Sequence, residues 1–209
     1  SSEMMGNLST SLVSILYNFQ LMRLIGEDGV AAFGVIMYVN FIFIGVFMGY
    51  SIGAGPVVSY HYGAGTQPEL QSLLRKSLLL ILLFCAGLTA AAVVLAGPLS
   101  RIFVGYDSEL LILTTRGFRL YSLSFLAMGF NIFASAFFTA LSNGVISAAI
   151  AFLRTLLFQT AAIFILPLFL ELDGIWLAVT AAELLTLLIT AAFLITQRNR
   201  YGYGGALTV

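Results

Sequence analysis

Apolar runs separated by brief polar punctuation dominate this chain. Six of them, at 7–25, 30–55, 76–97, 117–141, 145–170 and 175–196, approach the ~20 residues a helix needs to cross ~30 Å of hydrocarbon. The separators GEDG at 26–29, SNG at 142–144 and ELDG at 171–174 are short and polar. Two longer ones, 61–76 and 98–116, read as amphipathic turns of helix lying at the membrane interface. No Ser/Pro-rich linker interrupts the series, so residues 1–200 read as one transmembrane domain and 201–209 as a cytoplasmic tail. Short links make consecutive helices antiparallel neighbours. The pattern predicts an all-α membrane protein, a bundle of six transmembrane helices.

The second run carries its own internal pattern. Gly45, Gly49 and Gly53 recur every four residues, which on a helix makes one smooth groove. In lipid, small residues at this spacing let two helices approach closely. Pro56 follows; it lacks an N–H and its ring clashes with the preceding turn, so it should end or kink the helix. These four residues are read as a packing groove and a hinge.

Composition narrows the class. Of 209 residues, 60% are hydrophobic and only 9% charged, with mean hydropathy +1.04, against about 25% charged in soluble domains. Nine basic and nine acidic residues give zero net charge, which argues against a nucleic-acid partner. The single Cys85 cannot form an intrachain disulfide. Lys and Arg give little bias by number: Arg75, Lys76, Arg198 and Arg200 flank the helices on the side of the chain ends, and Arg23, Arg101, Arg116 and Arg119 lie on the other. The first set sits closest to its helices, so both ends are placed in the cytoplasm.

In such a chain the chemistry is sought among intramembrane polar groups, which usually face the bundle interior or a water-filled cavity. Glu3, Asn7, Ser11, Ser14 and Asn18 fall within an arc of about 80° on the first helix. Tyr121, Ser124, Met128, Asn131, Ser135 and Ser142 make a second stripe on the fourth. Two such stripes suggest a shared cavity, with interhelical hydrogen bonding as the alternative. Tyr38 and Asn40 lie opposite part of the glycine groove, and a tyrosine ring suits amphipathic cations. Arg154 and Glu183 occupy depths within about 6 Å of each other on adjacent antiparallel helices. They read as a buried charge pair or, with Glu183 titrating, as part of an ion-coupling relay. His61 has no Cys or His partner nearby, so no metal site is expected. Nucleophile–base pairs, catalytic carboxylates and phosphate-cradling loops are absent from the sequence, and an enzyme is not expected.

Several stretches resemble the multidrug and toxic compound extrusion (MATE) family. They are LYNFQLMRLIGEDGVAAFGVIMYV at 16–39, GYSIGAGPVVSYHYGAG at 49–65, NIFASAFFTALSNGVISAAIAFLRT at 131–155, LDGIW at 172–176 and NRYG at 199–202. The likeness is to bacterial members and runs over nearly the whole chain. It matches the second six helices of a twelve-helix transporter built from two lobes related by pseudo-two-fold symmetry. The resemblance implies a secondary active exporter of amphipathic, often cationic compounds in the bacterial inner membrane. It would be driven by Na⁺ or H⁺, need no other cofactor, and alternate access between its lobes. Some members hold a cation in this lobe with acids on its first and fourth helices. Here the fourth-helix position is Asn131, and the first helix offers only Glu3.

The start at Ser1 without an initiator methionine is read as that of a fragment whose missing N-terminal half would be its partner, beside the lipid bilayer and small organic substrates. The transport path is expected to involve Asn18, Tyr38, Asn40, Asn131 and Ser135; Glu183, Arg154 and Glu3 are the candidates for ion coupling or a buried charge pair. Two alternatives stand beside this reading. One is a lipid-linked saccharide flippase or exporter of the same superfamily, which would want a broad basic cavity. The other is a membrane interaction module that transports nothing.

Overall fold

A computed structural model describes the backbone over residues 2–206 and side chains over 9–205. Its helices are α1 (Ser2–Leu24), α2 (Glu27–Gly63), α3 (Gln67–Val104), α4 (Ser108–Ser122), α5 (Phe125–Ala140), α6 (Gly144–Phe152), α7 (Thr160–Ile165) and α8 (Pro167–Gln197). A π-helical turn, Leu153–Gln159, joins α6 to α7, and a 3₁₀ turn, Gly204–Ala206, follows α8. The six apolar runs thus become six helical units: α1, α2, α3, the α4–α5 pair, the α6–α7 run and α8. By length and apolarity α2, α3, α6–α7 and α8 can each cross a bilayer, and α4–α5, bent by 48°, supplies a fifth span.

The helices overrun the expected boundaries. α2 continues through Pro56 to Gly63, and α3 runs from Gln67 through Pro98 to Val104. The 61–76 separator is therefore a tight link followed by the first turns of α3, with Pro68 in the first turn, where a missing N–H costs no hydrogen bond. Pro56 does not end its helix. It leaves one carbonyl of the preceding turn without its helical donor, and apolar packing carries the helix past it.

Local chemistry sets the remaining breaks. Asp107 caps α4 by accepting from the amides of Glu109 and Leu110 at 2.9 and 3.1 Å. Asn143 caps α6 through the Ile146 amide at 3.2 Å. Glu171, with φ 50° and ψ −126°, breaks helical geometry within the ELDG separator. Gly174 then passes so close to Leu166 that an added Cβ would sit 2.5 Å from that carbonyl, so the chain folds back on itself.

The core is aromatic and runs through the bundle. Tyr17 of α1 stacks on Phe33 of α2 with ring centroids 4.3 Å apart, and its hydroxyl donates to the Ile175 carbonyl of α8. Phe43 meets Phe125, and Phe133 meets Phe137. Beyond Arg200 the chain is held against the bundle. Tyr203 is fully buried, donates to the Leu194 carbonyl at 3.0 Å and lies edge-on to Phe137. Tyr201 accepts from Asn143 at 2.8 Å, and Gln71 donates to the Gly202 carbonyl at 2.8 Å.

Candidate functional site

α8 carries a polar line that starts at Thr180 and continues through Glu183, Thr186 and Thr190, all of it buried. Thr180 donates to the Leu120 carbonyl of α4 and Thr186 to its own helix, while Glu183 and Thr190 meet α5 at Asn131. The Asn131 amide donates both to the Glu183 backbone carbonyl at 2.9 Å and to Glu183 Oε2 at 2.8 Å. In return Asn131 Oδ1 accepts from the Thr190 hydroxyl at 2.9 Å. One amide is thereby satisfied on both ends by two residues of α8 a helical run apart. That arrangement fixes the rotation of α8 against α5.

The remaining oxygen of Glu183 faces a cation. Arg154 Nε lies 3.3 Å from Oε1, with the acid side chain 4% exposed and the arginine 25%. Arg154 sits in the π turn, a wide turn that re-aims the side chains it carries and is frequent at functional sites. An isolated carboxylate in this interior would be prohibitively costly, and pairing plus hydrogen bonding is what makes it tolerable. The site is a buried network of α5, α8 and the π turn, joined by hydrogen bonds and one ion pair around the Glu183 carboxylate.

The other sequence-predicted residues lie elsewhere. Asn40 is buried on α2, its amide 4.0 Å from Met37 Sδ and its Oδ1 without a partner among the described residues. Tyr38 points outward, 68% exposed, stacked on Phe103 of α3 at 6.3 Å between centroids. Asn18 is half-buried and donates to the Ser14 carbonyl of its own helix at 2.9 Å. Ser135 joins a hydroxyl ladder with Ser147 at 2.9 Å, extended by Thr139 at 2.7 Å, that ties α5 to α6. The side chains of Glu3 and Asn7 lie outside the described residues.

The two polar stripes do not face one space. On the α4–α5 unit Tyr121, Ser124, Met128 and Asn131 are sealed in the interior, whereas Ser11 and Ser14 on α1 are exposed. The physical reason is that Asn131 finds its partners on α8 rather than in water. The glycine groove, in turn, packs on nothing in this chain. Gly45, Gly49 and Gly53 are exposed, and a Cβ added to any of them would meet no atom within 4 Å.

Sequence reasoning missed Thr190 and the π turn. Thr190 could have been found by the counting that found the other stripes, because Thr180, Glu183, Thr186 and Thr190 are spaced 3, 3 and 4. The π turn left no such signal. At the rim, Arg116 of α4 pairs with Asp173 at 2.5 Å, an exposed contact that positions more than it stabilises.

A lobe of this shape has known counterparts. The chain matches an outward-facing multidrug resistance MATE family transporter of the MOP superfamily at 18% identity and TM-score 0.87, over 94% of this chain and 44% of that one. It matches an inward-facing transporter of the same description at 18% and 0.84, over 98% and 47%. The bent form of the Vibrio cholerae MATE transporter VcmN gives 17% and 0.84, over 99% and 44%. At these identities the likeness is one of fold, and the chain spans less than half the length of each solved structure. No curated protein matches the sequence. The MatE family model matches residues 4–165, well over half the chain. With the bundle and its coverage of one half of two-lobed transporters, this places the chain in the MatE family of membrane transporters.

Proposed function

We propose that this chain is the C-terminal lobe of a secondary active exporter of amphipathic organic cations, coupled to Na⁺ or H⁺ and working by alternating access against a second, N-terminal lobe. One observation carries the reading: the same bundle fits half of a transporter in its outward-facing and in its inward-facing state. A lobe that keeps its internal structure while the whole molecule changes state is what rigid-body rocking requires. The ties between α5, α8 and the π turn supply that rigidity. Substrate contact falls to the open face of α2, where Tyr38 presents an aromatic surface suited to a cation. In this reading the membrane is the bacterial inner membrane and both chain ends are cytoplasmic.

The test uses the full-length protein in sealed vesicles, with Na⁺ and H⁺ gradients imposed separately and efflux of a fluorescent organic cation followed. Export should respond to one of the two gradients. Asn131→Leu, which removes the amide joining α5 to α8, should abolish export while the protein still reaches the membrane. Indifference to both gradients, or full activity in Asn131→Leu, would sink the proposal.

A further inference from the structure

Three stretches far apart in the sequence meet on one face of the bundle: the end of α2, the start of α3 and the tail around Tyr201. Gln71 of α3 donates to the Gly202 carbonyl at 2.8 Å, and the rings of Tyr62 and Tyr201 meet edge-on with centroids 5.6 Å apart. Between them lies a cavity of about 100 Å³, lined chiefly by His61, Tyr62, Gln67, Leu70, Arg200 and Tyr201. Its volume is that of about three waters of bulk liquid.

The lining is rich in donors, and no carboxylate is among its described residues. The Arg200 guanidinium lies over the Tyr201 ring, 5.5 Å from its centroid. It has no acid partner among the described residues, whose ion pairs are Arg116–Asp173 and Arg154–Glu183. Tyr201 is 7% exposed; its oxygen accepts from Asn143 at 2.8 Å, which leaves the hydroxyl proton available to donate. Tyr62 and Gln67, both exposed, add a hydroxyl and a side-chain amide to the same wall. His61 already shares Nδ1 with the Thr66 hydroxyl at 2.8 Å. An unpaired guanidinium ringed by neutral donors is suited to an anion, and to a phosphate above all.

The depth of the cavity favours one source of phosphate. On α2, His61 stands six residues past Gly55, where the second apolar run ends, a rise of about 9 Å. The headgroup band is about 5–7 Å deep, so a lipid phosphate at its outer edge is within reach of the long Arg200 side chain. Arg75, Lys76 and Arg198 flank the same face. Against them stand Glu69 and Glu3, the latter's side chain lying outside the described residues. Basic pockets between helix ends at this level are a known way of holding anionic headgroups.

We propose that this cavity binds the phosphate of an anionic phospholipid, with Arg200 as its ion-pair partner and Gln67, Tyr62 and Tyr201 as donors around it. The bound lipid joins the end of α2, the start of α3 and the tail at one point. A site of this kind needs only the bundle in its membrane, whatever the bundle transports.

The test melts the full-length protein in neutral detergent micelles with phosphatidylglycerol, with phosphatidylcholine, or with inorganic phosphate alone. NaCl at about 150 mM screens loose attraction to a charged surface. A ligand that binds only the folded state raises the melting temperature. Phosphatidylglycerol should raise it by about 3 °C more than phosphatidylcholine does. Arg200→Gln should lose most of that difference. Arg198→Gln, outside the lining, removes the same charge and should keep it. Tyr62→Phe, which removes a hydroxyl and no charge, should lose part of it. Equal melting in the two lipids overturns the proposal, and so does an Arg200→Gln protein that keeps the full difference. An equal loss in Arg198→Gln marks a diffuse basic surface and overturns it as well. Stabilisation by inorganic phosphate with none by phosphatidylglycerol assigns the cavity to a free phosphate and overturns the lipid. If Arg200→Gln does not accumulate, the other two variants decide: partial loss in Tyr62→Phe with retention in Arg198→Gln upholds the site, and any other pair of results overturns it.

Discussion

Gly129 lacks only a methyl group, and there is no room for one. A Cβ at that position of α5 would lie 2.6 Å from a ring carbon of Phe47 on α2 and 2.7 Å from Cys85 Sγ on α3. Side chains of two helices therefore rest directly against the α5 backbone at one residue. Gly129→Val should cost about 1–3 kcal/mol by overpacking, seen as a melting temperature several degrees lower in detergent. An unchanged melting curve would mean that α2 and α3 can yield. Glu183 and Arg154 were legible in the sequence because a charge in an apolar run is conspicuous at any depth. Gly129 was not, because a glycine needed for close approach looks the same as one in an open groove. Gly45, Gly49 and Gly53 make the contrast: their spacing suggested a contact, yet each faces empty space in this chain.

At the scale of elements, apolar runs located the helices but not their ends. Hydropathy falls where a helix leaves the membrane, while the helix itself continues until a cap or a strained residue stops it. α2 reaches Gly63 and α3 begins at Gln67, so 61–76 is mostly helix. The bend between α4 and α5 had no proline or glycine to announce it. Pro56 remains the element-scale candidate for a hinge. Pro56→Ala would restore the missing N–H to α2 and stiffen it. The expected outcome is slower export from vesicles with the melting temperature held or raised. Unaltered transport kinetics would remove Pro56 from the mechanism.

For the whole molecule, the telling contrast lies between a satisfied interior and an unfinished surface. The α5–α8 network closes on itself, as does the tail through Tyr201 and Tyr203. The face of α2 does not: Tyr38, Phe41, Ile42 and Ile52 stand more than two-thirds exposed beside the three groove glycines. A bundle covering less than half of its relatives fits a lobe whose seam is met from outside. Gly49→Phe should separate the two roles. A Cβ there meets no atom within 4 Å and the position is exposed, so the fold should hold to within about 0.5 kcal/mol. Export by the full-length protein should fall steeply if the other lobe closes on this groove. A Gly49→Phe protein that transports normally would leave the groove facing lipid.

The π turn at Leu153–Gln159 has a further consequence when read as a matter of counting. A π turn is geometrically an α-helix holding one residue too many. Deleting one residue from the turn would return it to ordinary helix. Everything on one side of the deletion would then swing by about 100° relative to the other. Arg154 and the surface of α7 could no longer both face α8. Length in this stretch is therefore under tighter constraint than residue identity: the charge pair should tolerate many substitutions among its neighbours and no change in their number.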